Sequence, residues 1–386
     1  MYNFFIKSIL SKATFAVPGG AQNADVLGEQ DLMWEQVTEP FTAGLDLVGY
    51  NYLEGKYEQD HELYPERIIL GSENFPKEVG LHWPMIERLP YVIGEFTWTA
   101  WDYIGEAGIG RAVYLDPEDP LLKQGPFALM SHGISFPWRT ANDADYDILG
   151  NVRPQGVYRS VVFGSSRTGL FSYDPAVFSK TEMLSAWGFI GVEPCWTWRG
   201  QESKPVRVVV FSGAEEVALF LNGQEIARLK AGENEVPELP KSFCFETVYT
   251  PGTLEAVSLR NGQEVSRDQL VTAGRPVRLE LAPEAEALQA DGKSLCYVGV
   301  KVLDAEGSLV PDAQVLLDAH AEGEAVLAGF GSGAFKTPEN YTAGRFTTWH
   351  GRAMAVLRAG WKPGQIRLAV SGEGVGEAAV TLPVKE

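Results

Sequence analysis

The chain has 386 residues, of which 45% are hydrophobic and 22% are charged. This composition is typical of a globular protein with two to four domains. The formal net charge of -19 disfavours nucleic acid and anionic membranes as partners, because both require a basic surface. No run approaches the roughly 18 apolar residues that a membrane-spanning helix needs, so we expect no membrane insertion.

The cysteines indicate a reducing compartment. Cys195, Cys244 and Cys296 are far apart and odd in number, without a spacing typical of metal sites or disulfides. We expect buried free thiols and a cytoplasmic location. The first residues, MYNFFIKSILSKATFA, weakly resemble a signal peptide, but Lys7 and Lys12 interrupt the apolar stretch and make cleavage the less favoured interpretation.

The first half of the chain alternates short apolar runs with helical patterns. In chain order, the predicted elements are a helix over 30–43, a strand over 45–52, a helix over 57–64, a strand over 67–73, a helix over 75–89 and a strand over 91–97. Strands separated by helices of this length indicate βαβ units and a parallel sheet. A long Pro- and Gly-rich segment follows over 112–142, and 154–164 is predicted to form a helix.

The character of the sequence changes near Trp187, where short alternating strands begin. Strands are predicted over 206–212, 216–223, 224–229, 243–249 and 254–262, and then over 277–281, 294–303, 313–319, 353–360 and 365–370. Asn222-Gly223 and Asn261-Gly262 are strong hairpin signals, because the favoured two-residue turn requires positive φ at both positions. This spacing predicts two antiparallel β-sandwiches.

Two carboxylates end apolar runs and are candidates for catalysis. Glu73 closes RIILGSE, and in a parallel α/β barrel the C-terminal end of each strand carries the chemistry. The spacing alone favours a Glu that caps the helix that follows, an interpretation that the stretch ENFPKE fits. Glu95 in YVIGEFTW is at least as well explained as a buried structural carboxylate with a hydrogen-bond partner. Two carboxylates in one cleft would suggest glycoside hydrolysis, although spacing alone does not place them together.

Aromatic residues follow the same strand ends. Trp98 and Trp101 could stack on a sugar ring or pack in the core, and their spacing could direct one to each environment. Tyr50 and Tyr52 share a strand face by the two-residue period. A phenol there could donate a hydrogen bond to a neighbouring carboxylate and stabilise its ionised form.

Four stretches together resemble the C-terminal part of glycoside hydrolase family 2, of the bacterial β-galactosidase type. They are LDLVGYNYLEGKYEQDHELYPERIILGSENFPKE, YVIGEFTWTAWDYIGEAGIG, DYDILGNVRPQGVYR and WTWRGQESKPVRVVVFSGAEEVALFLNGQEIA. The resemblance covers nearly the whole chain except about the first dozen residues. It implies a multidomain α/β plus all-β protein. Residues 1–187 would hold strands 6–8 of a (β/α)8 TIM barrel, followed by two immunoglobulin-like β-sandwiches at 188–273 and 274–386.

The resemblance also implies roles for single residues. Gly71-Ser72-Glu73 matches the strand-7 motif whose Glu is the nucleophile. Tyr52 matches the tyrosine that hydrogen-bonds the nucleophile, and Trp98 matches the floor of the sugar subsite. Asp145 lies where the family places a polar contact to the sugar. Glu95 matches neither catalytic carboxylate and is expected to be structural.

The acid/base residue of the family is expected to be missing from this chain. It belongs to an Asn-Glu pair on barrel strand 4, before the point where this sequence begins, and the only such pair here, Asn234-Glu235, lies in the β region. We therefore expect a fragment with little or no activity when isolated, because loss of a positioned acid typically reduces the rate about 10²–10⁴-fold. No metal and no cofactor are expected.

Alternative functions remain open at the level of sequence. The chain could supply the nucleophile and sugar floor of a β-galactosidase, as a homo-oligomer or with a complementing N-terminal chain. It could instead be a non-catalytic β-sandwich protein that binds carbohydrate or mediates assembly. A β-glucuronidase or β-mannosidase specificity is a third alternative, because most residues that would select the sugar are not in this sequence.

Overall fold

A computed structural model describes residues 37–125, 128–131 and 134–386. The chain divides into two compact units. The described part of the first unit comprises residues 37–74 and 85–96, and the second unit comprises residues 75–84 and 97–386. The signal-like start and the first half of the helix predicted over 30–43 lie outside the described residues, and residues 37–42 are helical.

Residues 48–97 contain three strands and two helices. They are β1 (Val48–Asn51), α1 (Tyr57–Leu63), β2 (Ile69–Asn74), α2 (Val79–Arg88) and β3 (Val92–Thr97), with 3₁₀ turns at Glu54–Lys56 and Pro76–Glu78. The sheet order is β1-β2-β3, and β1 and β2 run parallel, as the alternation of strands and helices predicted. Each predicted strand and helix here is confirmed: β2 ends one residue after its predicted end, and the other elements lie within their predicted bounds.

The next part of the chain has little regular structure. It contains β4 (Ala112–Leu115), α3 (Ala128–Ser131), α4 (Pro154–Val162), β5 (Gly169–Ser172) and β6 (Thr181–Leu184), with 3₁₀ turns at Pro120–Gln124 and Pro175–Val177. The predicted helix over 154–164 is confirmed as α4. It begins at Pro154, a favoured first residue because its missing N–H needs no partner there. α4 packs Val157, Tyr158 and Val161 against Phe171 and Phe211.

Two sheets form the first β-sandwich. Its later strands are β7 (Pro205–Phe211), β8 (Glu216–Leu221), β9 (Gln224–Lys230), β10 (Ser242–Val248), β11 (Thr253–Arg260) and β12 (Gln263–Val271). One sheet has the order β10-β7-β5 and the other β12-β11-β8-β9. Buried side chains of both sheets, such as Val208, Phe243, Leu219 and Leu254, share one core.

The hairpins in this sandwich have the predicted turns. Asn222 and Gly223 have φ of 52° and 80°, and Asn261 and Gly262 have φ of 50° and 72°. Positive φ at both central positions is the type I′ pattern, whose twist matches that of the flanking strands. These turns join β8 to β9 and β11 to β12 in antiparallel register.

The second β-sandwich follows. Its strands are β13 (Arg278–Pro283), β14 (Leu288–Gln289), β15 (Leu295–Leu303), β16 (Leu316–Gly323), β17 (Ala325–Gly331), β18 (Arg345–Thr347), β19 (Arg352–Ala359), β20 (Gly364–Gly372) and β21 (Gly376–Lys385). The sheet orders are β13-β15-β19-β17 and β14-β21-β20-β16-β18. Inward residues such as Val298, Leu317, Leu357 and Leu368 form its core.

Strands dominate the described residues, as expected of tandem sandwiches. β5 pairs with β7 although it precedes residue 188, and the boundaries at 187 and 273 stay a prediction.

Cys195, Cys244 and Cys296 are free thiols, the first and last buried and Cys244 half-buried. Among the described helices, none is long and apolar enough to cross a membrane.

Candidate active site

Glu73 lies near the C-terminal end of β2, held against β1. Gly71 pairs with Tyr50, and Glu73 pairs with Asn51 across an irregularity in the register. The Tyr52 backbone N–H donates to the Glu73 carbonyl oxygen at 2.7 Å. Tyr52 follows the last residue of β1 and has a φ of 54°, so the two-residue period that grouped it with Tyr50 no longer applies to it. The half-buried Glu73 and Tyr52 are therefore neighbours.

Glycines beside Glu73 let the backbone approach polar side chains. A Cβ on Gly71 would lie 2.6 Å from the Tyr57 hydroxyl and 2.8 Å from the Asn74 amide oxygen. The Asn74 amide nitrogen donates to a Glu95 carboxylate oxygen at 3.0 Å. The predicted hydrogen-bond partner of Glu95 is thus confirmed, whereas Glu95 is half-buried and not buried as predicted. Any side chain at position 71 would have to displace this arrangement.

A buried network of polar side chains connects β1 with the residues before β2. The Arg67 guanidinium donates to the Tyr50 hydroxyl at 2.8 Å and pairs with the Asp60 carboxylate at 3.2 Å. Tyr50 in turn donates to Asp60. Burial and the adjacent Asp60 carboxylate raise the pKa of Tyr50, so its phenol stays a donor. The phenol–carboxylate pair that the sequence predicted therefore exists, but it joins Tyr50 to Asp60.

The second unit contains Trp98 in an aromatic and acidic setting. The half-buried Trp98 indole donates to the Tyr103 hydroxyl at 3.2 Å, and their rings meet edge to face at 6.2 Å. Tyr103 donates to the Glu106 carboxylate. Trp101 is 56% exposed and stacks on Tyr146. The half-buried Trp98 and the exposed Trp101 thus occupy different environments.

Asp143 is a fully buried carboxylic acid close to Trp98 in the fold. The Thr99 hydroxyl donates to its Oδ1 at 3.4 Å, while its Oδ2 has no hydrogen-bond partner. Burial, and next the Asp102 carboxylate, raise the pKa of Asp143 to about 7. A carboxyl group with this pKa can exchange a proton near neutral pH. Sequence analysis missed Asp143, because nothing in ANDADYD distinguishes its buried carboxylate from exposed ones.

Asp145 is buried and ion-paired. Its Oδ2 accepts from the Arg159 guanidinium at 2.6 Å, and its backbone N–H donates to the Thr99 carbonyl at 3.3 Å. Burial raises the pKa of Asp145 in spite of this partner, and Oδ1 makes no hydrogen bond. The fold therefore brings Asp145 to the residue that follows Trp98. Tyr52 and Glu73 belong to the first unit, and Trp98 and Asp145 to the second.

Comparisons with known proteins show which families the chain is similar to. Residues 279–381 match the family described as glycoside hydrolase family 2 C-terminal domain 5. Residues 203–266 match a family described as a domain of unknown function, DUF4982. A solved structure of a glycosyl hydrolase family 2 member from Bacteroides cellulosilyticus is similar with a TM-score of 0.78 and 31% identity, over 90% of this chain and 43% of that one.

Curated relatives extend the same similarity. A beta-galactosidase from Bacteroides ovatus is 29% identical over 245 residues, which are 62% of this chain and 28% of that protein. A putative beta-glucuronidase from Formosa agariphila is 27% identical over 286 residues, or 72% of this chain and 23% of that protein. The chain thus matches less than a third of either relative. These findings confirm the predicted resemblance: the chain corresponds to the C-terminal portion of glycoside hydrolase family 2 proteins.

Proposed function

We propose that the chain is the nucleophile-bearing part of a retaining glycosidase that acts on terminal β-D-galactosides. The observation that carries this proposal is Glu73, whose carboxylate lies near the C-terminal end of a parallel strand with Tyr52 on the neighbouring strand end. That is the position from which barrel glycosidases act. In this proposal β1, β2 and β3 are strands 6–8 of a (β/α)8 barrel. Residues 1–187, 188–273 and 274–386 are the barrel part and two immunoglobulin-like sandwiches.

The proposed reaction proceeds by double displacement. The Glu73 carboxylate attacks the anomeric carbon and the glycosidic C–O bond breaks, which gives a covalent glycosyl-enzyme. Water then attacks the same carbon and releases Glu73. Trp98 forms the floor under the sugar ring, Tyr52 hydrogen-bonds the nucleophile, and Asp145 is a polar contact to the sugar. Asp145 is held for this by Arg159 and retains one oxygen without a hydrogen-bond partner.

Proton donation to the leaving oxygen needs a second carboxyl group about 5–5.5 Å from the nucleophile. Asn234-Glu235 does not supply it in this proposal. Glu235 is exposed in the turn between β9 and β10, and its carboxylate accepts the Lys241 backbone N–H at 3.0 Å. In this proposal the acid is a carboxyl group outside the residues of this sequence. The proposed location is cytoplasmic, consistent with three free thiols.

The test uses a substrate that does not depend on the acid. A 2,4-dinitrophenyl 2-deoxy-2-fluoro-β-galactoside carries a leaving group that departs without protonation, and its fluorine slows release of the glycosyl-enzyme. We expect one equivalent of dinitrophenolate and a peptide labelled at Glu73, identified by mass spectrometry. Glu73→Gln should reduce the labelling rate at least about 10³-fold, as expected for loss of a covalent nucleophile.

Glu95→Gln is the matched control, because Glu95 is also a half-buried carboxylate near a strand end and accepts a hydrogen bond from Asn74. It should retain labelling within about tenfold. Equal labelling in Glu73→Gln would refute the proposed nucleophile. The glucuronide and mannoside analogues serve as further arms, and a faster reaction with either would refute galactoside specificity. Sugar binding without labelling in any arm would favour a non-catalytic carbohydrate-binding protein.

A further inference from the structure

A cleft of about 380 Å³ lies inside the second unit, next to the segment that carries Asp145. Its walls come from the irregular region near Asp147 and Asn151, from the stretch around Glu193 and from the second β-sandwich at 333–352. Trp98 does not line it. The volume is within the range of about 300–1,000 Å³ typical of small-molecule sites. A pyranose ring with its hydroxyls therefore has room in it.

A tight hairpin in the second sandwich presents two side chains to this cleft. Trp349 and Arg352 exchange backbone hydrogen bonds of 2.9 Å in both directions. His350 and Gly351 between them have φ of 49° and 66°, the type I′ pattern. Residues directly opposite each other in an antiparallel pair carry their side chains on the same face. The turn therefore sets the Trp349 indole beside the Arg352 guanidinium, and both line the cleft.

Gly351 is required for this turn on two counts. Its φ is positive, and a Cβ there would lie 2.3 Å from the Val310 carbonyl oxygen. Since β19 begins at Arg352, the hairpin is fixed directly to the sandwich core. The two side chains are thus presented by a rigid element, which keeps the entropic cost of binding low.

Further aromatic rings extend the apolar wall. Phe335 stacks on Trp138 with ring centroids 4.9 Å apart, and meets Trp349 edge to face at 5.4 Å. The backbone of Arg139 donates to the Phe335 carbonyl at 2.9 Å, and that of Thr337 donates to the Pro137 carbonyl at 2.8 Å. All three rings are half-buried. Faces of this kind suit the C–H surface of a sugar ring.

Arg352 brings hydrogen-bond donors without a partner. Burial lowers the pKa of its guanidinium, and the Asp147 carboxylate acts in the opposite direction. Within the described ranges, the guanidinium makes no hydrogen bond and no ion pair, although it offers five N–H donors. Arg352 is half-buried in the cleft wall, and its donors have no hydrogen-bond partner among the described residues. A ligand rich in oxygen acceptors would supply them.

The other charged side chains that line the cleft offset the positive charge of Arg352. Asp147 accepts from the Asn151 side chain at 2.9 Å, and Glu193 lies 3.5 Å from His350. Asp102 and Arg153 also line the cleft. Its lining therefore contains three carboxylates and two guanidinium groups, which together carry one net negative charge. An anionic ligand is therefore disfavoured. Sugar hydroxyls both donate and accept, and so match a lining of this mixed kind.

We propose that this cleft binds a neutral hexose unit of an oligosaccharide, with Trp349 against the ring and Arg352 donating to its oxygens. The ligand class rests on the proposed glycosidase function, whereas the site itself rests on the hairpin and the cleft. The second β-sandwich thereby contributes directly to carbohydrate recognition.

The test is a titration of the full chain with lactose, followed by protein NMR, in a Glu73→Gln background that prevents turnover. Trp349→Ala and Arg352→Ala should each weaken the dissociation constant at least about tenfold, which is about 1.4 kcal/mol. Arg352→Lys should weaken it by a similar factor, because it keeps the charge but loses the planar fork. Arg352 has no partner to lose, so thermal unfolding of its variants should match that of the parent.

Two variants of the same sandwich are matched controls. Trp361 is 79% exposed and Arg358 is an exposed residue of the same strand as Arg352, and neither lines the cleft. Trp361→Ala and Arg358→Ala should leave the dissociation constant within about twofold. Trp98→Ala should leave binding at the cleft intact, so a titration that depends on Trp98 and not on Trp349 would overturn the proposal.

Methyl β-D-galactoside and methyl β-D-glucuronide form a second comparison. Tighter binding of the glucuronide, dependent on Arg352, would overturn the assignment of a neutral sugar. Unchanged lactose binding in Trp349→Ala and Arg352→Ala would overturn the site altogether. Failure of the Glu73 labelling with a lactose titration that still depends on Trp349 would reject the catalytic proposal and leave this one standing.

Discussion

Replacing Asp143 by Asn should change how the stability of the protein depends on pH. Asp143 is fully buried, and its pKa is raised from the ordinary value of 3.8 to about 7, by burial first and by Asp102 next. Between these two pH values the folded protein holds a proton that the unfolded chain has released. The free energy of unfolding therefore falls as pH rises through this window. The full effect is about 4 kcal/mol, from roughly three pKa units at about 1.36 kcal/mol each.

The experiment compares calorimetric unfolding at pH 5.5 and pH 8.5, both above the range in which ordinary carboxylates become protonated. Over that interval the Asp143 contribution should fall by about 2 kcal/mol, because the group is mostly protonated in the fold at pH 5.5 and ionised at pH 8.5. Asp143→Asn is uncharged at both values and lacks this slope. At pH 8.5 it should therefore be more stable than the parent, by up to about 4 kcal/mol, and unfold at a higher temperature.

Asp46→Asn is the matched control, because Asp46 is an exposed aspartate. Its pH dependence should follow that of the parent. If Asp143→Asn kept the parent slope within about 0.5 kcal/mol, Asp143 would be ionised in the folded protein at pH 5.5, and the reasoning from its burial would be refuted.

Two further substitutions test the packing of each unit by urea denaturation. Arg67→Ala should cost about 3–5 kcal/mol, because it leaves the buried Asp60 carboxylate without its cation, whereas Arg88→Ala at an exposed ion pair should cost less than about 1 kcal/mol. Equal losses in these two variants would show that Arg67 is not the partner that matters. Phe211→Ala should cost about 3–5 kcal/mol from a fully buried ring, and the 70%-exposed Phe136→Ala should cost little. A loss below about 1 kcal/mol at Phe211 would contradict its place in the core.

Local chemistry explains which parts of the fold the sequence predicted. The hairpins at Asn222-Gly223 and Asn261-Gly262 depend on φ preferences of two adjacent residues, so they could be predicted without any tertiary information. The strands with alternating or continuous apolar residues, such as β7 and β15, were equally clear. β12 and β21 were missed, because QEVSRDQLV and GEAAVTLPVK have many polar or small residues and acquire their strand conformation from their pairing partners.

Some features of the candidate site follow from local sequence, and others depend on tertiary contacts. The sequence singles out Glu73 as a candidate because its apolar run ends in a carboxylate, a pattern within seven residues, and its catalytic role stays a prediction. The partnership of Arg67 with Asp60, and the burial of Asp143, arise from contacts that the local pattern does not encode. The Trp349–Arg352 hairpin is an intermediate case, since His350-Gly351 is a weaker turn signal than Asn-Gly. A non-glycine residue at positive φ is uncommon, and its cost is offset here by the two backbone hydrogen bonds of the turn.

The second β-sandwich is tied to the rest of the second unit by more than its linker. The Arg199 guanidinium pairs with Asp312 at 2.6 Å and donates to the Gly274 carbonyl at 2.6 Å, which fixes the first sandwich to the second. At another point, the Arg139 guanidinium and backbone donate to Thr337 and Phe335 at 3.1 and 2.9 Å. Attachment at two separated points restrains rotation of the sandwich. The hairpin that carries Trp349 is therefore held at a fixed place over the irregular region, as a sugar site shared between two parts of the chain requires.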